Sequence, residues 1–135
     1  MAFFEWKNDY SVGIAKIDDQ HKILVGFLND LYEAMQAGKG KETLDTVLKN
    51  LVEYTKTHFT TEESILKLYK FPDYQEHKQK HDKMTEHVLK LKQQFDSGQI
   101  ANPIQITNFL KDWLSKHIMG TDKAYVTFLN AKGVR

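Results

Sequence analysis

Apolar residues recur every three or four positions in four separate stretches of this chain, which is the period of an amphipathic helix. The first stripe, Leu24, Leu28, Leu31 or Tyr32, and Met35, follows Asp18, a residue suited to an N-cap, and ends at Gly38-Lys39-Gly40. The second helix is expected from Glu42 to Lys70, with Leu44, Leu48, Leu51, Ile65 and Tyr69 on one side and Phe71-Pro72 as its stop. Asp73 followed by Glu76 predicts a capping-box start for the third, whose stripe is Tyr74, Met84, Val88, Leu91 and Phe95 before Ser97-Gly98. Asn102-Pro103 predicts a capped start for the fourth, which carries Ile106, Leu110 and Trp113 as far as Gly120. Ahead of these, residues 1 to 17 read as an extended arm with Phe3, Phe4, Trp6 and Tyr10 available for packing, and the segment TDKAYVTFLN reads as a short terminal turn. No stretch has the period of a strand. The expectation is an all-α, up-down-up-down antiparallel four-helix bundle with an extended N-terminal arm and a short C-terminal helical turn, in a single domain over 1–135.

The stripes are interrupted by histidine and glutamate where leucine would serve the core better. His21 lies on the line of Ile17, Leu24 and Leu28; His58 and Glu62 fill the gap between Leu51 and Ile65; His77 and His81 sit between Tyr74 and Met84; His117 follows Leu110 and Trp113. Any one of these could be a hydrogen-bonded core residue. Their heights argue against four independent accidents. Antiparallel residues equidistant from their turn lie level, at about 1.5 Å of rise per residue. From a turn near residue 39, His21 is about 18 residues before and His58 about 19 after; from Phe71-Pro72, Glu62 and His81 are each about ten away; from a turn near residue 100, His81 is about 19 before and His117 about 17 after. Buried ionisable groups are costly unless paired or bound to metal, so polar core residues gathered in one layer of four helices predict a metal site.

Local spacing agrees. His58/Glu62 and His77/His81 are each four apart, which puts both members on one helical face. His117 and Asp122 are five apart, about 140° around a regular helix, and would share a face only if the chain ends or distorts at Gly120. The resulting set of His21, His58, His77, His81, His117, Glu62 and Asp122 is too large for one tetrahedral zinc and too rich in nitrogen for magnesium or calcium. Two metals bridged by the carboxylates accommodate it. His87 lies about 80° off the His77 line and reads as a flank residue. The E-x-x-H pairs of ferritin-like sites and the H-E-x-x-H of zincins are both absent, whereas bis-histidine haem stays open.

Composition narrows the partners. With 19 basic and 18 acidic residues the net charge is +1, no footprint for nucleic acid or an anionic membrane. The basic amphipathic stretch KHDKMTEHVLKLK reads as one solvated helix face. No cysteine is present, which excludes thiolate-ligated metals, c-type haem and thiol nucleophiles. There is no membrane-length apolar run, and MAFFEWKNDY has no signal-peptide pattern, so a cytoplasmic location is expected.

WKNDYSVGIAKIDDQH, HFTTEE, HKQKH and HIMGTD, in this order and spacing, resemble the hemerythrin pattern over nearly the whole chain, in its prokaryotic single-domain (bacteriohemerythrin) form. The resemblance implies that His77, His81 and His117 bind one iron, that His21 and His58 bind a second, and that Glu62 and Asp122 bridge them together with an oxo or hydroxo group. If both irons are octahedral, the second is one ligand short, and the family binds dioxygen there. Phe59, Trp113, Leu114 and Ile118 resemble the family's apolar pocket residues, although ordinary bundle core is an equally plain description of them. The expected function is reversible dioxygen binding for storage, delivery or sensing, with small anions such as azide binding the diferric state. A peroxidase or ferrous-iron oxidase is the alternative; no additional acid, base or substrate cleft is evident in its favour. A sensor would need an output domain, for which 135 residues leave no room, and no protein partner is indicated.

Overall fold

A computed structural model describes residues 4–39, 41–99 and 104–135. Phe3, Gly40 and the Asn102-Pro103 cap lie outside the described residues. Four helices, α1 (Ala15–Gln36), α2 (Lys41–Leu68), α3 (Tyr74–Asp96) and α4 (Ile104–Lys116), form the bundle, and a shorter α5 (Val126–Ala131) follows. No strand occurs among the described residues. Helix α1 packs against α2 and α4, and α2 against α3, so short connections make neighbours antiparallel. None of these helices is long and apolar enough to cross a membrane.

The stripes bury as the pattern requires. Leu24, Leu28 and Leu31, then Leu44, Leu48 and Leu51, then Met84, Val88 and Phe95, then Ile106 and Leu110 face the core. On α2 the line continues through Leu66, which is fully buried; Ile65 and Tyr69 are only partly covered. Steps of four from His58 through Glu62 arrive at Leu66, which explains the preference.

The helix ends differ from expectation in their chemistry. α1 begins three residues before Asp18, and that carboxylate does not cap it. Instead it ties the arm down, accepting from the Ser11 hydroxyl at 2.5 Å and the Val12 amide at 2.8 Å. The arm is therefore shorter than predicted, and it includes a 3-10 turn at Asn8–Tyr10. Asp73 does occupy the N-cap of α3, but its side chain makes no capping bond, so the predicted box with Glu76 is not formed. α2 ends at Leu68 rather than Lys70. Lys70 turns left-handed at φ 56°, and the Phe71 amide donates back to the Leu66 carbonyl, closing the helix before Pro72 is reached. α1 closes similarly, with the Lys39 amide on the Ala34 carbonyl and Gly38 at φ 68°.

After Lys116 the fourth helix continues in altered form: a π-helical stretch at His117–Thr121, a 3-10 turn at Asp122–Tyr125, and then α5. What the sequence suggested as a terminal turn is this irregular continuation and a helix of six residues.

Asn29 of α1 clasps the arm by both backbone groups of Phe4, its amide oxygen 2.8 Å from the nitrogen and its amide nitrogen 3.0 Å from the oxygen. Phe4 itself is buried. Asn29→Ala is expected to cost about 1–2 kcal/mol and to speed proteolysis within the arm, while leaving the bundle's helical circular dichroism unchanged. Thermal melts and limited proteolysis check this, and an unaltered melt would show that the clasp is energetically idle.

Candidate metal centre

Each helix of the bundle delivers its polar residues to one level. α1 contributes His21, α2 His58 and Glu62, and α3 His77 and His81; the π-helical segment and the turn after it contribute His117 and Asp122. All seven are buried, at 5% exposure or less. The last pair meets because the backbone widens there. The Asp122 amide donates to the His117 carbonyl, five residues back, so one extra residue is taken up in the turn and the two side chains converge. Gly120 is not in a left-handed conformation, so the distortion comes from the wider turn and not from a helix break.

Two groups of donor atoms result. Glu62, His77, His81, His117 and Asp122 form one; His21, His58, Glu62 and Asp122 form the other, and within each the candidate ligand atoms lie within 4.8 Å of one another. The carboxylates belong to both groups and divide their oxygens between them. Glu62 Oε1 contacts His77 Nε2 and lies 3.1 Å from His81 Nε2, and Asp122 Oδ1 is 2.9 Å from His117 Nε2 and 3.3 Å from His77 Nε2. Glu62 Oε2 is 3.4 Å from His58 Nε2, and Asp122 Oδ2 is 3.2 Å from His21 Nε2.

The atoms that converge are short of partners. His21 Nε2, His58 Nε2 and both Asp122 oxygens are buried without a hydrogen bond. His81 Nε2 and His117 Nε2 face each other at 3.1 Å, lone pair toward lone pair unless one carries a proton. Buried polar atoms are rarely left in this state, and a cation between them satisfies all at once. The donor set, imidazole nitrogens with two carboxylates, suits first-row transition metals such as iron. The residues therefore fit a pair of such ions.

Three further residues orient these donors, and no helical pattern in the chain points to them. Gln20 Oε1 accepts from His58 Nδ1 at 2.7 Å, and Glu63 Oε2 accepts from His81 Nδ1 at 2.9 Å, so each imidazole turns its Nε2 lone pair inward. The Tyr125 hydroxyl donates to Glu62 Oε2 at 3.1 Å. Burial raises the Tyr125 pKa well above its usual value, helped by the charges of Glu62 and Asp122, so the phenol remains a neutral donor. Gln20 and Glu63 each adjoin a donor residue in sequence, which is the one signal that could have pointed to them.

Protonation follows from the same crowding. Burial pushes the Glu62 carboxyl upward, but the imidazoles of His58, His77 and His81 packed against it outweigh that and hold the group well below the carboxylate range. Asp122 is likewise pushed up by burial and by Glu62, and is held low by the imidazoles of His117 and His21 that lie against it. Burial lowers His58. It also acts to lower His77, yet the Asp122 and Glu62 carboxylates raise that group to about 9.

The predicted apolar pocket residues are distributed around this centre. Phe59 stacks on His81 at 3.8 Å and 4°, and Trp113 on His117 at 4.3 Å and 17°. Ile118 is fully buried, and Leu114 is buried beside a small cavity on the bundle axis. His87 is exposed, stacked on Phe109 and apart from the cluster.

The family model described as the hemerythrin HHE cation binding domain matches residues 12–129. The chain belongs to the hemerythrin family. A bacteriohemerythrin of Stenotrophomonas maltophilia is 30% identical over 97% of this chain and 84% of its own length, and one of Methylococcus capsulatus is 30% identical over 97% of this chain and 100% of its own. A solved wild-type hemerythrin superposes with a TM-score of 0.86 at 29% identity, covering 93% of this chain and 97% of that one. The all-α hemerythrin bundle expected from the sequence is thus the fold observed.

In the metal-free chain His77 retains a proton below about pH 9, and a metal must displace it. Apparent metal affinity is therefore expected to rise with pH between 7 and 9 and to level off above. Competition with a chelator of known pH dependence checks this. A profile already flat at pH 7 would show that no such proton is displaced.

Proposed function

We propose that this hemerythrin holds two non-haem irons, His77, His81 and His117 on one and His21 and His58 on the other, with Glu62 and Asp122 across both, and that it binds dioxygen reversibly. The observation that supports this best is the division of each carboxylate between the two histidine groups. When bound, two ferrous ions supply the two electrons that dioxygen draws on as it binds and returns as it leaves.

The chain's own part is to position and to exclude. Gln20, Glu63 and Tyr125 fix the donors from outside, so the cluster need not rearrange as charge moves through it. A cavity of about 20 Å³ lies beside Leu24, Leu28, Leu51, Met84, Trp113 and Leu114, which is room for about one small molecule. Leu24 follows His21 by three residues, Met84 follows His81 by three and Leu114 precedes His117 by three, so the cavity sits about 4.5 Å along the axis from the donor layer. Thr55 is the polar residue in its wall, and its hydroxyl is spent on the Leu51 carbonyl at 2.8 Å. A water there would lack the two to four partners it needs, whereas an apolar diatomic gas loses nothing. Trp113 and Leu114 are read accordingly as walls that keep water and anions from the bound gas, while Phe59, stacked on His81, and Ile118, buried beside His117 in sequence, do not line this cavity. Reversible binding, not turnover, is the reading these walls favour.

Metal analysis should give two irons per chain, and anaerobic reduction followed by oxygen titration an absorbance change that reverses on deoxygenation over repeated cycles. One zinc per chain, or irreversible consumption of peroxide, would overturn the assignment. Glu62→Ala and Asp122→Ala should lose iron and the bridged-site absorption, and His87→Ala should retain both. A normal spectrum in Asp122→Ala would remove that residue from the ligand set.

Leu114→Ala enlarges the cavity at a cost of about 2–5 kcal/mol in stability. It should load iron normally yet lose its oxygenated absorbance several times faster than the parent, and bind azide more readily in the diferric form. Unchanged decay at full iron content would make Leu114 core packing alone.

A further inference from the structure

Two open grooves reach the edge of the donor layer: one beside His77, lined by Asp73 and Glu76 as well as Lys80, and one between α3 and α4. The second measures about 350 Å³ and is lined by Lys80, Lys83, Phe109, Trp113 and Lys116, with His117 at its floor. No carboxylate lines it. Lys80, Lys83 and Lys116 are exposed, and among the described residues only Lys80 approaches an acid, Glu76 at 3.9 Å. Lys90 extends the basic edge along α3, where Glu86 is the single acid in the adjoining groove. In a chain of net charge +1 this is a local concentration of positive charge, and such a rim steers negatively charged partners.

A second observation says what such a partner would do. Trp113 forms part of the groove wall and also stacks on His117 at 4.3 Å; its edge meets Phe59 at 5.5 Å, and Phe59 lies flat on His81. The donor side chains themselves are buried, and of them only His117 borders this groove, at its floor. Trp113 is the place where the cluster's surroundings reach the basic surface.

We propose that the groove between α3 and α4 is the docking surface for a small acidic one-electron carrier protein, with Trp113 and His117 as the electron's route to the metal pair. The route, though not the docking, rests on the di-iron reading above. With iron held by these residues, each encounter would pass one electron from the carrier by way of Trp113 and His117, so two carriers would be oxidised to return an oxidised pair to the ferrous state, with charge balanced by proton uptake from solvent. The device answers a need inherent in the reading: a site that lends electrons to dioxygen is out of use whenever it is left oxidised.

The test uses a plant-type [2Fe–2S] ferredoxin as the acidic probe, with the iron-loaded chain. Carbodiimide, which joins amines to carboxylates, should cross-link the two through Lys80, Lys83 or Lys116, and added salt should suppress the product. In the double variant K83E/K116E, affinity and the rate of reduction by the ferredoxin should each fall on the order of tenfold, while reduction by an uncharged hydroquinone stays at the parent rate. Trp113→Leu should bind the ferredoxin as the parent does but accept electrons more slowly. Cross-links confined to other lysines, or undiminished affinity in the double variant, would overturn the docking surface. So would displacement of the ferredoxin by inorganic phosphate at constant ionic strength, which would make the groove a small-anion site. Equal electron-transfer rates in Trp113→Leu would overturn the route. Iron analysis and oxygen titration report separately, so an absent di-iron site would be recognised as such and would leave the cross-linking result standing.

Discussion

Seven ionisable side chains buried at one level of an apolar bundle are the constraint to which everything else answers. Each would cost several kcal/mol if it were charged and alone. They are tolerable only together, because imidazoles offset the carboxylates and the carboxylates hold one imidazole protonated near neutrality. The helices are thereby locked in height: sliding α1 by one turn against the rest of the bundle would take His21 away from Asp122 and leave both stranded. The apolar stripes above and below the layer allow many registers. The polar layer permits one.

That asymmetry explains what could be read from the chain alone. The helix middles were legible, since burial of Leu28, Leu48 and Val88 follows directly from their spacing. The convergence of the histidines was legible for a related reason, because the rise of a helix converts residue counts into heights. Helix ends were harder. Asp18 and Asp73 have the right chemistry for capping, but an aspartate can satisfy an arm as readily as a helix, and tertiary position decides. The residues orienting the donors were harder still. Gln20 reaches His58 from α1, Glu63 reaches His81 from α2, and Tyr125 reaches Glu62 from the far end of the chain. Those are distances between helices, which no count along one helix contains.

The orienting residues also make the two halves of the centre unequal. His81 leans on a carboxylate, whereas His58 leans on an amide. An imidazole backed by a carboxylate is the stronger donor, so the three-histidine half is the more electron-rich by both number and support. The small, mostly apolar cavity lies one helical turn from this layer, and its walls belong to residues that also pack the bundle. Access and stability are therefore governed by the same side chains.

The π-helical stretch at His117–Thr121 can be regarded as a shift of reading frame. A helix presents its faces in a fixed cycle, and inserting one residue advances every later position by about 100° without disturbing the earlier ones. His117 is read in the original frame; Asp122, Tyr125 and Leu129 are read in the new one, and all three are buried. A single added residue thus turns what would have been an outward-facing aspartate into a core one, and re-aims the remainder of the chain at the bundle in the same move. Such a frame shift is a small change in the chain with a large stereochemical yield.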